Sequence, residues 1–375
     1  MVCKSGNSLG ARGLLLSPLA EKSRKRRVCG VPMFLAQVML PAAASALATP
    51  APRTVVVAGA TGRSGRLLVE ELLKGETIVR ALVRDRTKAA ETLPTHPNLS
   101  FIDCDLASDT AAATTRDACA SAHGLVWCAS GFTSEGVSLD IKCMTELPLA
   151  LKEAGEADAR VVMLSSAGVT RTEWPEAKQE ALVGAADIPI IRLNPGGILD
   201  RKREAEEILR SSGVPYAVVR PTGLKDDWPA GRPILSQGDV AVGRTAPADL
   251  ARVLVSALTS PGSEGKTFEM FTLAGYPAPS DGLAGAFEAL AADADGPVPE
   301  AQVAASYQLM QQLLPGEAQD ATKLEMGQTY EQVDSGEVSR ERGAAATERE
   351  RTLAASAVDG ITGQAPGKKR FFGLF

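Results

Sequence analysis

The chain has 375 residues, enough for one large domain with extensions or for two domains, and its 45% hydrophobic and 23% charged residues are ordinary for a soluble protein. Six cysteines without metal or disulfide spacing, and only two histidines, His96 and His123, argue against a structural zinc site and a Cys-His nucleophile. The formal charge of −5 is uneven: residues 1–52 carry seven Lys or Arg against one Glu, which leaves −11 on the remainder, a body with no reason to seek nucleic acid.

The first 27 residues are basic and end in KSRKRR, and residues 28–47 are uncharged and apolar. Ala46-Leu47-Ala48 then has the small-x-small form of a cleavage site, so residues 1–52 read as a targeting leader to be set apart from the fold. A retained membrane anchor and an unordered start remain open, although Pro32 and Pro41 interrupt the apolar run.

Residues Thr54 to Gly65, TVVVAGATGRSG, read as strand, tight turn and helix start, followed by the helical period of RLLVEELLKG. Gly59 permits the sharp turn, Gly62 lets backbone approach a pyrophosphate, and Gly65 lets helix and strand pack closely. The helix N-terminus offers unpaired N–H groups to phosphates, with Thr61, Arg63 and Ser64 completing the loop as cofactor-contacting positions. The second strand, Thr77 to Val83, runs into Arg84. An acid at that strand end reads the ribose 2′-hydroxyl of NAD, whereas an arginine pairs with a 2′-phosphate. Arg63 can clamp the same phosphate from the other side, so the cofactor is read as NADP, with NAD possible and solvated surface arginines as the alternative. Asp85 reads as a helix cap.

The third strand, Leu99 to Ile102, leads to Asp105 and Leu106, which can sit beside adenine. A helix over Asp109 to Cys119 and a fourth strand, Gly124 to Cys128, follow, and Ala129-Ser130-Gly131 is small enough for a cofactor to cross the strand tips. Asp140 to Glu153 reads as a helix whose Cys143 is core. After the fifth strand, Arg160 to Leu164, Ser165 and Ser166 either hold substrate or ribose, or cap a turn. Thr170 to Asp187 reads as a loop with a short helix over the crevice, and Pro189 to Leu193 as a short apolar run. An amphipathic helix is expected from Asp200, its cap, to a stop at Gly213. Then come a sixth strand (Pro215 to Arg220), an extended piece (Ile234 to Val242), a helix (Pro247 to Leu258) and a seventh strand (Thr267 to Phe271). The alternation specifies an α/β fold: a Rossmann-like, doubly wound, largely parallel sheet with helices on both faces.

Val57 to Gly65, Asp105-Leu106, Ser165-Ser166, Lys202, the run SGVPYAVVRPTGL and the segment Leu235 to Leu258 together resemble the atypical short-chain dehydrogenase/reductase group. These are the NAD(P)-binding, NmrA-like proteins of plants, algae and cyanobacteria, and the resemblance covers residues 53–274. Catalytic members of the wider superfamily carry Tyr-x-x-x-Lys, in which the lysine holds the ribose and the tyrosine moves a proton. The tyrosine position is Ile198 here, which cannot transfer a proton, while Lys202 is kept. The resemblance therefore implies cofactor binding, with Lys202, Ser166 and Asn194 as the remaining catalytic candidates and Tyr216 as a remote substitute. It leaves two functions: a redox-responsive regulatory or assembly factor of the plastid, or an NADPH-dependent reductase of a small plastid metabolite. RNA binding, a third reading, conflicts with the acidic body.

Residues 275–316 read as a helical extension, with a short Ala-rich helix over Gly282 to Ala292 and a longer one over Pro299 to Leu314. Val303, Tyr307, Met310 and Leu314 share one side of the latter. Residues 317–375 are poor in large apolar side chains and read as a mostly mobile tail. Its end, KKRFFGLF, has the form of a docking peptide for a protein or an anionic lipid surface, or of a frayed terminus. The expected partners are a small molecule or a protein, as a monomer or homodimer, in the plastid stroma, the thylakoid lumen or at its membrane.

Overall fold

The computed structural model describes residues 53–186 and 188–313. The leader, Asp187, Leu314 and the tail lie outside the described residues. In chain order the elements are β1 (Thr54–Ala58), α1 (Arg63–Leu73), β2 (Ile78–Val83), α2 (Arg86–Thr92), β3 (Leu99–Asp103), α3 (Ala111–Ala118), β4 (Gly124–Trp127), α4 (Leu139–Ala154) and β5 (Arg160–Leu164). Three short helices follow, α5 (Glu176–Ala181), α6 (Val183–Ala186) and α7 (Pro189–Leu193). Then come α8 (Ile198–Ser211), β6 (Tyr216–Pro221), β7 (Gly223–Leu224), β8 (Gly231–Ser236), β9 (Arg244–Thr245), α9 (Pro247–Thr259), β10 (Lys266–Ala274), α10 (Ala284–Glu288) and α11 (Glu300–Leu313).

The eight-stranded sheet runs β3-β2-β1-β4-β5-β6-β10-β8, and every pairing is parallel except β10 with the edge strand β8. Strand β1 is buried along its whole length, as an uninterrupted apolar run covered on both faces must be. It pairs with β2 on one side and β4 on the other. The chain therefore winds outward to β3 and crosses back to β4. That reversal opens a crevice at the carboxyl ends of β1 and β4, where doubly wound sheets bind ligands. Leu68, Val69 and Leu72 of α1 join Leu250, Val253 and Leu254 of α9 over one face. Met144, Leu147 and Leu151 of α4 join Ala205 and Leu209 of α8 over the other.

Several boundaries moved for identifiable reasons. Helix α8 starts at Ile198, so Asp200 lies in its first turn rather than capping it. Gly197 holds the N-cap position, and Asn194, in the left-handed region at φ 30°, accepts through its Oδ1 from the Leu199 N–H at 3.0 Å. Asp200 instead receives Thr172 Oγ1 at 3.2 Å and Asn194 Nδ2 at 2.7 Å. Asp85 does cap α2, accepting from the Lys88 N–H. Residues 189–193, read only as an apolar run, form α7, and the Ala-rich stretch is helical only over Ala284–Glu288. Alanine propensity alone does not hold the rest; Asp293, just beyond, is drawn instead onto Thr267, Arg210 and Tyr216. Helix α11 buries Val303 and Met310, with half-buried Tyr307, in a cluster with Trp174, Leu182, Ala185, Val240, Ala241 and Phe271. The extension thus packs on the segment between β5 and α8. Arg171, fully buried there, bonds the carbonyls of Asp239, Ala185 and Ala241 and lies beside the Asp239 carboxylate.

Candidate functional site: a dinucleotide crevice

The three glycines of the loop do different work. Gly59 has φ +80°, and a Cβ on it would meet the backbone of Cys128 and Ala129 at 2.6–2.8 Å, so it carries both the turn and the close approach of the β1 and β4 tips. A Cβ on Gly65 would lie 2.1 Å from the Gly59 carbonyl oxygen, the close packing of helix on strand. Gly62 is exposed at the N-cap of α1 with an extended backbone, and the nearest atom to an added Cβ is the Gly59 oxygen at 3.1 Å. No side chain caps α1 and no acid lies in its first turn. A helix start that carries neither is a ready site for a diphosphate. Thr61 and Ser64 place half-buried hydroxyls on the same loop.

Arg84 stands at the end of β2, exposed, and makes no hydrogen bond or ion pair among the described residues. Its neighbour Arg86 is engaged, with Nε 2.7 and 2.8 Å from the two Asp103 carboxylate oxygens. Arg63, in the first turn of α1, has its Nε 2.7 Å from Asp226 Oδ1, on the chain after β7. Asp105 uses Oδ1 to accept from the Ala107 N–H, leaving its second carboxylate oxygen for a ligand, and Leu106 is buried beside it. Ala129 is half-buried and Ser130 exposed at the β4 tip.

On the face covered by α4 and α8, Lys202 is buried and its Nζ lies 3.1 Å from Asp140 Oδ1, which also accepts from Trp127 Nε1 at 2.9 Å. Ile198 is buried one turn earlier and Asn194 is committed to its turn. Ser166 Oγ donates to the Ala167 carbonyl at 3.0 Å. Ser165 differs: it is 5% exposed, and its Oγ is buried with no hydrogen-bond partner among the described residues. Strand alternation puts it on the side of Val161 and Met163, the face that carries Lys202. The sequence could not rank the two serines, because the difference is one of partners. Tyr216 opens β6, at the end of the strand away from the crevice, and its hydroxyl donates to Asp293 Oδ2 at 2.9 Å, with burial and that carboxylate raising its pKa. The Cys128 thiol, at the β4 tip, is pushed up to about 12 by burial, which the nearby Lys202 charge only partly offsets. No group of His, Cys, Asp and Glu that could hold a metal occurs among the described residues.

The sheet order, the glycine cradle, the uncapped helix start and the unpaired arginine at the β2 end define a dinucleotide-binding protein of the Rossmann class, and the residues present fit such a cofactor. A family profile described as NAD(P)H-binding matches residues 59–261, more than half of the chain. The chain belongs to this NAD(P)H-binding family. It is 30% identical over 236 residues to an uncharacterized chloroplastic protein of Arabidopsis thaliana, a match covering 60% of this chain and 79% of that one. It is 31% identical over 195 residues to the chloroplastic protein TIC 62 of the same plant, covering 46% of this chain and only 27% of TIC 62. Among solved structures, a putative NAD-dependent epimerase/dehydratase from Bacillus halodurans aligns over 64% of this chain and 100% of its own, at 23% identity and a TM-score of 0.49.

Proposed function

We propose that this protein is an NADP(H)-binding regulatory or assembly factor of the plastid, which responds to the redox state of its cofactor. The observation that carries this reading is the loss of the proton donor beside an intact cofactor cradle. Ile198 fills the tyrosine position, and Tyr216 lies at the wrong end of β6. Gly62 and the start of α1 would hold the diphosphate, and Arg84 the 2′-phosphate. Asp105 and Leu106 would flank adenine, Ala129 and Ser130 would floor the crossing, and Lys202 would donate to the nicotinamide ribose. When bound, the cofactor supplies a hydride donor or acceptor at its nicotinamide ring. Residence in the plastid is supported by the chloroplastic relatives and by the basic, apolar leader.

A second reading, an NADPH-dependent reductase of a small plastid metabolite, is favoured by one feature. The partnerless Ser165 Oγ is a buried hydroxyl of the kind a substrate oxygen would satisfy. Titration of the purified protein with NADPH and NADH tests both. Tighter NADPH binding is expected; tighter NADH binding would sink the role of Arg84, and binding of neither would remove both readings. Lys202→Ala should weaken binding, and unchanged affinity would refute the ribose contact.

A further inference from the structure

Asp140 is a buried carboxylate at the crevice for which the cofactor reading has no use. It lies in the first turn of α4, 62 residues before Lys202. Its Oδ1 receives two donors, the Trp127 indole at 2.9 Å and the Lys202 ammonium at 3.1 Å. The two charged side chains are 2% and 7% exposed, so they form a desolvated pair rather than a surface contact. Trp127 ends β4, and the next residues, Cys128 and Ala129, are those whose backbone Gly59 touches. The pair therefore sits against the strand tips where the glycine loop turns.

We propose that Asp140 is a positioning residue: it fixes the Lys202 ammonium at the strand tips, so that the remaining Lys202 donors meet the neutral hydroxyls of the cofactor's nicotinamide ribose. This rests on the dinucleotide reading of the crevice. An ammonium has three donors, and one is on Asp140. Because the carboxylate cancels the lysine charge, the pair is suited to a neutral diol and not to a phosphate. The Trp127 indole fixes the orientation of the Asp140 carboxylate in turn. The orphan Ser165 Oγ, 95% buried on the same face, is a second group calling for a ligand hydroxyl there.

Asp140 faces Lys202 from α4, and Glu206, a turn further along α8, is held by Arg220 from β6 and by Arg210. With the Asp140 carboxylate removed, the buried ammonium loses its adjacent counter-charge and its fixed position, so its hold on the ribose hydroxyls weakens while contacts to the adenosine half of the cofactor do not change.

The test is parallel titration of the full chain with NADPH and with 2′,5′-ADP, which lacks the nicotinamide ribose. Asp140→Asn should lose about 10-fold in NADPH affinity and leave 2′,5′-ADP within about twofold. Unchanged NADPH affinity, or an equal loss for both ligands, would overturn the proposal. If Asp140→Asn does not fold, Asp140→Glu carries the test: it keeps the carboxylate but displaces the ammonium by a methylene. NADPH affinity should then drop about 5-fold with 2′,5′-ADP within about twofold, and unaltered NADPH affinity overturns the proposal. Wild type that binds no NADPH removes the dinucleotide reading itself, a separate failure.

Discussion

Two single-methyl substitutions on the glycine loop should separate fold from ligand binding. In Gly65→Ala the new methyl would stand 2.1 Å from the Gly59 oxygen, 2.9 Å from the Gly59 carbonyl carbon and 3.0 Å from the Ala60 Cα. All three are backbone atoms, so helix α1 must move off β1. Overpacking of this kind costs about 1–3 kcal/mol. For a domain of this size that is about 2–12 °C in melting temperature. In Gly62→Ala the methyl meets only the Gly59 oxygen at 3.1 Å, and φ −75°, ψ 172° suits alanine. The apo protein should melt within about 2 °C of wild type. The methyl would nonetheless occupy the exposed surface where a diphosphate must approach. NADPH affinity should fall about 10–100-fold, or about 1.4–2.8 kcal/mol. Thermal melts without ligand and fluorescence titration read the two effects independently. A Gly62→Ala protein that binds NADPH within twofold of wild type would refute the seating of the diphosphate. A Gly65→Ala protein as stable as wild type would refute the packing argument.

Arg84→Ala should weaken NADPH about 10–100-fold and leave NADH within twofold, since only the former has a 2′-phosphate to lose; equal losses in parallel titrations would reject that role. Asp239→Asn should cost about 3–5 kcal/mol in urea unfolding, because it strands the fully buried Arg171. Burial raises the Asp239 pKa, but Arg171, Arg220 and the Gly168 and Thr170 N–H groups more than reverse it and hold it low. Its contribution is therefore complete above the unfolded aspartate value of about 3.9 and lost as pH falls through the folded value, so wild type and variant should converge in acid. Tyr216→Phe should leave cofactor affinity unchanged, its hydroxyl being bound to Asp293 away from the crevice. Burial pushes the thiols of Cys119 and Cys143 up to about 12. At pH 8 their alkylation should be about 10³-fold slower than that of a free thiol, as read by peptide mapping, and rapid native-state labelling would contradict their burial.

The parts of this molecule that were legible in the sequence are those with local causes. The run from Thr54 into three glycines and a periodic helix announces its own geometry, because each glycine answers a backbone constraint within a dozen residues. The alternation of strands and helices fixes a parallel sheet for the same reason. Asp85 as a cap and Arg84 at a strand end follow from immediate neighbours. What the tertiary structure decided concerns partners far apart in the chain, since hydrogen bonding and desolvation depend on which elements meet. Lys202 finds Asp140 across two packed helices, and Arg63 is drawn to Asp226, 163 residues away. Ser165 is orphaned while Ser166 bonds its own neighbour. No periodicity or spacing encodes those pairings; they arise only when the sheet closes and brings α4, α8 and the strand tips into one low-dielectric space.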